Sequence, residues 1–543
     1  MKKTRMLCLC LCCLLLLLHL AACNHTESPT DDNQTTIDTE KNPSEEQEPS
    51  SGSPITPDPS PDEPTPAKHE HSFAMGKCEG CDIIPMKQWD ISKAGDESLI
   101  AYLFDTSDNS AEGTFYTLEI AGIGEMYEPG FNELMPWADP YREKITNIVF
   151  NGSLTHISKT AFSNCSIKSI DLPESLIYIG ESAFSGCDII SINIPAAVTT
   201  IGDYAFFSCN NLTDVNIPLG LQTIGKYAFQ SCRSLKTVTF GKTATSDATT
   251  LSIKEGAFSY CNNLTNMALP SHVTQIGFDA FSYCSESLFS VENGIKYFGN
   301  WLIKAELPNI RDVVFKDGIV GIADEAFQNC DNLTELEIPN SVLHVGEYVF
   351  SGCDGLLSII LPNTVTTVSA GLFNNCSSLT NVVLPKYATE IGNHAFTNCD
   401  SLKAIIIPVE ITHLKASAFY SCDSLEQIVF NTQSVTNIDQ YCFYECNALK
   451  YVFFSGLQEH WDNIIVEQGN TPFKNCILVF NNRGHIHTIE HVEGNAPTCH
   501  NIGYTDSAYC TECNAVVIAR EEIPTEQCDY DEHGICLSCG EPR

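Results

Sequence analysis

CSSLTNVVLPKYATEIGNHAF, from Cys376 to Phe396, is the stretch whose reading decides the fold. Leu379, Val382 and Leu384 stand at L-x-x-V-x-L spacing, and the last pair alternates as in a short strand with one buried face. Pro385 has no amide to give a ladder and is expected to end that strand. Ile391-Gly392 is expected to turn the chain. Ala395-Phe396 would then bring an aromatic ring back beneath the strand before Cys399 closes the coil. The same offsets recur at Leu212, Val215, Ile217, Pro218, Ile224, Gly225, Phe229 and Cys232, and again from Leu333 to Cys353.

Outward from this unit, cysteines 165, 187, 209, 232, 261, 284, 330, 353, 376, 399, 422, 446 and 476 are spaced mostly by 22 to 24 residues. One gap of 46 is two periods, and its missing register falls in VENGIKYFGNWLIKAELPNIRDVVFKDGIVGI, an insertion. Shorter insertions sit at KTATSDATT and near HWDNIIVEQGN. A period in the low twenties predicts a strand-dominated α/β-type repeat solenoid of the leucine-rich kind over 145–482, with about 14 coils. One unit cannot bury its apolar face alone, whereas stacked neighbours can. A cysteine at the same place in every coil is expected to be a small buried apolar group, with Cys442 also in the core. No repeat pairs it with a histidine at a fixed offset, as a nucleophile would require.

The phrases IGxxAFxxCxxL and IxLPxxVxxIG resemble the BspA-like leucine-rich repeats of bacterial surface proteins. The resemblance implies an adhesin or binding module that recognises host matrix proteins or the surfaces of other bacteria. Segment 86–144, with WDISKAGDESLIAYLFDTSDNSAEGTFYTLEIAGIGEM and PWADPYREKITNIVF, reads as β-hairpin material and resembles that family's N-terminal β cap. A cap is needed because the first coil would otherwise expose its apolar end.

At the start, Lys2, Lys3 and Arg5 precede the apolar run Met6 to Leu18 and the ending Leu20-Ala21-Ala22-Cys23. This reads as a secretory leader over 1–22. Its ending resembles a lipobox, which implies cleavage before Cys23 and lipidation of that cysteine. Segment 23–70 is rich in Pro, Ser, Thr and acidic residues, with 9 prolines and 12 acidic residues between Asn24 and Glu70. It reads as a disordered, self-repelling tether. The formal charge of −39 across 543 residues leaves nothing to neutralise phosphates, so a nucleic-acid interface is excluded. It would also repel anionic lipid, leaving the acyl chains of Cys23 as the membrane anchor.

Two short segments fall outside the repeat. Segment 71–85 carries Cys78-x-x-Cys81 after His69 and His71. Segment 483–543 is a small Cys-rich, zinc-ribbon-like module with Cys499, Cys510-x-x-Cys513, Cys528 and Cys536-x-x-Cys539, preceded by His485, His487 and His491. Two C-x-x-C pairs can enclose a tetrahedral structural zinc. The expected ligands are Cys510, Cys513, Cys536 and Cys539, with Cys499 and Cys528 as substitutes. Disulfides, favoured by export, and free thiols are the alternatives. None of these sites leaves a position open for catalysis.

The chain carries no Gly-rich phosphate loop, no H-E-x-x-H and no G-x-S-x-G elbow, so no enzyme is read here. The outward strand position runs Ile360, Val383, Ile406, Val429 and Phe453 through successive coils, against Asn216, Thr239, Ala268 and Glu337 earlier. These five are expected to form a continuous apolar stripe on the concave sheet, a candidate docking site. Two other readings stand beside it: β-branched residues simply suit strands, or a neighbouring segment covers them. The competing function is a structural envelope scaffold, or a glycan-binding protein, with no specific host ligand.

Overall fold

The computed structural model describes residues 73–78, 83–107, 114–130, 133–241, 250–306, 310–431, 433–480, 485–495, 497, 503–513, 516–519 and 521–524, all within one compact unit, His69–Arg543. The repeat region is a strand-dominated solenoid of about fourteen coils.

Each coil contributes two parallel ladders. The first comes from the strand before the proline: Asp214–Ile217 pairs in register with Ser191–Asn193 on one side and Thr237–Phe240 on the other. The second comes from the Ile-Gly site, which was expected only to turn the chain. There Glu390–Ile391 pairs with Thr367–Val368 and His413–Leu414. Two residues are too few to show a period, so only stacking reveals them as strands.

The turn that follows forms a third ladder outside any strand. Amides of Tyr204, Phe206 and Ser208 donate to the carbonyls of Lys226, Ala228 and Gln230 in the next coil, at 2.8, 2.7 and 2.8 Å. The intervening amides of Ala205, Phe207 and Cys209 close turns within their own coil. This alternation accompanies two left-handed residues per coil, here Tyr204 (φ 56°) and Ser208 (φ 56°). Every amide of the turn thus finds a carbonyl, as a buried backbone requires.

Between the ladders lies the core. Phe162, Phe184, Phe206, Phe229, Phe258 and Phe281 stack with centroids 5.1 to 5.5 Å apart. A second column runs from Phe327 through Phe350, Phe373, Phe396 and Phe419 to Phe443. The repeat cysteines are free thiols, all buried except the half-buried Cys476. They do more than fill space: Cys376 Sγ donates to Phe350 O at 3.0 Å and Cys399 Sγ to Phe373 O at 3.2 Å, and this bond recurs along the column.

Both ends and the break of the column carry tryptophan. Strands Lys87–Asp90, Leu99–Asp105 and Tyr116–Glu125 form antiparallel hairpins, and Ile145–Ile157 then runs parallel to the last of them and leads into the first coil. Trp137, fully buried, stacks on Phe162 and donates its indole N–H to Ala161 O at 2.7 Å. At the far end, helices Gln458–Asp462 and Thr471–Lys474 place Trp461 against Phe473, which stacks on Phe443. In the missing register, Ser290–Glu292, Ile295–Phe298 and Trp301–Ala305 form an antiparallel hairpin sheet, whose last strand pairs in parallel with Gly321–Ile322. Trp301 is 3% exposed and lies flat over His344. A Cβ at Gly321 would come within 2.6 Å of its ring, so this coil has glycine where others carry larger residues. Of the other two insertions, residues 242–249 lie outside the described residues, and the one near HWDNIIVEQGN contains the first capping helix.

Candidate functional site

The outward column changes chemistry along the solenoid. In its first half Asn216 bonds to Asn193, and Thr239 Oγ1 donates to Asn216 Oδ1 at 3.0 Å, a polar ladder. In its second half Ile360 and Val383 are 45% and 46% exposed and Ile406 is half-buried. The stripe does not remain open beyond that point. Val429 and Phe453 are fully buried because the C-terminal module lies over them. Together with Tyr451 and Val479 of the last coils, they pack against Ala508 and Val517 of the module, with Ile489 and Ile518 alongside. Beside the open part, a groove of about 580 Å³ is lined by Val383, Ile406, Val409 and Ile486 together with Lys386 and Lys403. At the insertion the Trp301 indole is buried, and it joins Leu269, Phe298 and Leu343 in lining a further groove of about 550 Å³.

The module is a three-stranded antiparallel sheet, Ile489–Val492, Ser507–Cys510 and Val516–Ile518, with a second small pair, Gly503–Tyr504 and Glu522–Ile523. Its attachment is polar as well as apolar. Gln427 brackets the backbone of His487, donating from Nε2 to the carbonyl at 3.0 Å and accepting the amide at Oε1 at 2.9 Å. Tyr451 Oη lies 3.2 Å from His491 Nε2. The His487 ring lies on Phe453 with centroids 3.8 Å apart.

His485, His487, Cys510 and Cys513 converge here, with their four ligand atoms all within 4.8 Å of one another. Cys510 Sγ is 3.6 Å from His485 Nε2, and Cys513 Sγ is 3.6 Å from His487 Nδ1. The set arises from folding. His485-x-His487 crosses the last coils, and Cys510-x-x-Cys513 turns the corner of the hairpin, with Thr511 N donating to Thr488 O at 3.0 Å. Burial, with His485 adjacent, holds the His487 imidazole neutral by pushing its pKa down to about 4. Burial alone would raise the Cys510 thiol, but its contact with His485 and the amides of Cys513 and Glu512 outweigh that and bring it to about 7. The cluster can therefore coordinate a metal such as zinc. Of the expected ligands it contains Cys510 and Cys513, while Cys536 and Cys539 lie outside the described residues, as do Cys81, Cys499, Cys528 and Cys23. The sequence showed the two histidines upstream of the pair, but their i, i+2 spacing carries no ligand signal until the segment ahead of Ile489–Val492 is laid across the last coils.

Among the described residues no helix is long and apolar enough to cross a membrane. No curated protein matches the chain. Solved structures similar to it include a leucine-rich-repeat protein from Bacteroides ovatus, 24% identical over 69% of this chain and 98% of that one, TM-score 0.29. A leucine-rich cell-surface protein from Faecalibacterium prausnitzii is 24% identical over 69% and 97%, TM-score 0.30. The pneumococcal vaccine antigen PcpA is 18% identical over 74% and 99%, TM-score 0.34. The family model of the BspA-type leucine-rich-repeat region, in six copies, matches residues 141–251, 242–354 and 367–482, more than half of the sequence. A repeat scaffold of this class is non-catalytic, and the chain belongs to the BspA-type leucine-rich-repeat family.

Proposed function

We propose that the chain is a cell-surface binding module, an adhesin for proteins of the host matrix or of other bacterial cells, with Ile360, Val383 and Ile406 at the centre of its docking face. One observation carries this reading: the same apolar column, one and two coils beyond Ile406, already holds a folded β module by burying Val429 and Phe453. A surface that seats one protein element at one end and stays open at the other has the chemistry of an interface. The polar first half of the column does not share that chemistry, which restricts docking to the coils after the break. Anchoring is assigned to a lipid on Cys23, supported by the basic start, the short apolar run and the Leu-Ala-Ala-Cys ending. The residues after it would hold the solenoid away from the envelope.

The test replaces Ile360, Val383 and Ile406 together with Ser in the mature protein. Binding to immobilised host matrix proteins and to intact bacterial cells should fall, while the thermal transition moves little because two of the three side chains are nearly half exposed. Undiminished binding by a folded triple variant would favour the scaffold reading or place recognition elsewhere. For the anchor, Cys23→Ala should release the protein from the membrane fraction or block its processing. Unaltered processing and retention would remove the lipid from the account.

A further inference from the structure

We propose that His485, His487, Cys510 and Cys513 hold one zinc ion, and that this ion pins the C-terminal module across the last coils, closing the apolar column beyond Ile406.

The geometry fits the ion. Zinc–sulfur bonds of roughly 2.3 Å and zinc–nitrogen bonds of roughly 2.0–2.1 Å at a tetrahedral angle put sulfur and nitrogen about 3.6 Å apart. Both recorded sulfur–nitrogen contacts are 3.6 Å. The donor set is soft and borderline, two thiolates and two imidazoles, which selects zinc over calcium or magnesium. The site is built rather than incidental. Cys510 is fully buried and His487 is 2% exposed, with His487 Nδ1 turned towards Cys513 Sγ. Four protein ligands leave no open position, so the ion would be structural. Glu512 Oε2 lies 3.8 Å from His485 Nε2 and puts a carboxylate at the edge. Binding sends the two thiol protons to solvent and leaves the centre neutral apart from that carboxylate.

The pinning follows from where the ligands come from. The described core of the module amounts to Ala508 and Val517 with Ile489 and Ile518 beside them, too little to hold a small fold without a staple. The histidines belong to the segment lying on the solenoid and the cysteines to the hairpin above it, so the ion joins the two. His487 is at once a ligand, a ring stacked on Phe453 and a backbone gripped by Gln427. Metal occupancy and coverage of Phe453 are thereby coupled. The consequence for docking rests on the reading of the column given above, whereas the site and the pinning do not, and the measurements separate them.

The experiment uses the mature protein purified under reducing conditions. Zinc content should drop by one per chain in Cys510→Ser and in His487→Ala, and be unchanged in the Cys536→Ser, Cys539→Ser double variant. Replacement by Co²⁺ should give visible bands of a tetrahedral thiolate–imidazole site, lost in the same variants. On chelation, hydrogen exchange at His487 and through Ile489–Val492 should speed up at least tenfold, with the coils before Ile406 unaffected. Gln427→Ala should loosen the same amides while keeping the zinc. Zinc lost with Cys536 and Cys539 but kept in His487→Ala would overturn the ligand assignment, as would a Cys510–Cys513 disulfide in the native protein. Unchanged exchange after zinc removal would overturn the pinning.

Discussion

Cys376 and Phe396 occupy neighbouring places in the core and differ in what they support. The Cys376 thiol is fully buried, its pKa pushed up to about 12 by burial, and it donates to Phe350 O. That carbonyl also accepts the amide of Cys353, so removing the thiol leaves it one partner. Cys376→Ala should therefore cost only on the order of 1 kcal/mol, whereas Phe396→Ala, which removes a ring packed against Phe373 on one side and stacked on Phe419 on the other, should cost about 3 to 5 kcal/mol. Denaturant unfolding of the two variants checks the contrast, and thiol reagents should label Cys376 only as the protein unfolds. Asp324 sits at the break and offers a pH signature. Burial raises its pKa to about 6, although Glu347 N donates to it at 2.9 Å and Gln275 Nε2 at 3.2 Å. A carboxyl with a folded value above its unfolded one lends stability that is present in full below the unfolded value and is lost as pH rises through about 6. Asp324→Asn should thus be more stable than the parent at pH 7.5, with the difference shrinking towards pH 5. Thermal midpoints that differ equally at both pH values would show that Asp324 does not titrate in this range.

At the scale of the element, what the sequence showed is what repeats and is apolar. The 23-residue period, the strand ahead of Pro385, the ring at Phe396 and the buried cysteine were all legible. Ile391-Gly392 was not legible as a strand, because a parallel pair of two residues gains its hydrogen bonds only from neighbours. The turn ladder was hidden for another reason. Its left-handed positions carry Tyr, Ser, Asn, Asp, Glu and His as well as Gly, so composition does not mark them. Such a conformation costs a non-glycine residue roughly 1–2 kcal/mol, which the inter-coil bonds offset. Ser231 (φ 62°), whose amide donates to Ser259 O at 2.9 Å, gives the test. Ser231→Val should destabilise by about 1–2 kcal/mol, and Ser231→Gly should be neutral or slightly stabilising, as read by thermal unfolding. The candidate site was half legible. Cys510 and Cys513 announce themselves by spacing, while His485 and His487 join them only through the irregular segment that crosses Phe453 ahead of Ile489–Val492. The stripe was legible as a row of apolar residues, but what covers Val429 and Phe453 comes from Ile489, Ala508, Val517 and Ile518, far along the chain and from no local pattern.

Over the whole molecule, the four tryptophans mark where the repeat stops: Trp89 and Trp137 at the cap, Trp301 at the insertion and Trp461 at the end. A stacked coil is stabilised by its two neighbours, so a large ring is placed wherever one neighbour is missing or altered. The apolar core accordingly forms two bodies that meet at the insertion. Trp301 and Phe298 belong to the first, and Tyr297 and Leu302, on the same hairpin, to the second. Phe281 meets Phe298 edge-on at 5.0 Å in place of a stacked partner, so the phenylalanine column is interrupted here. Across the break the backbone still makes a bond, Asp324 N to Ile276 O at 2.9 Å. In a nearest-neighbour solenoid the weakest junction sets whether the coils unfold together. Trp301→Ala removes the ring that spans this junction and leaves a void against Gly321. Calorimetry should then resolve two transitions where the parent shows one, with the first block, from the cap to Cys284, and the second, from Phe327 onward, melting separately. A single transition at a lowered midpoint would mean that backbone bonds such as that of Asp324 are enough to couple the two blocks.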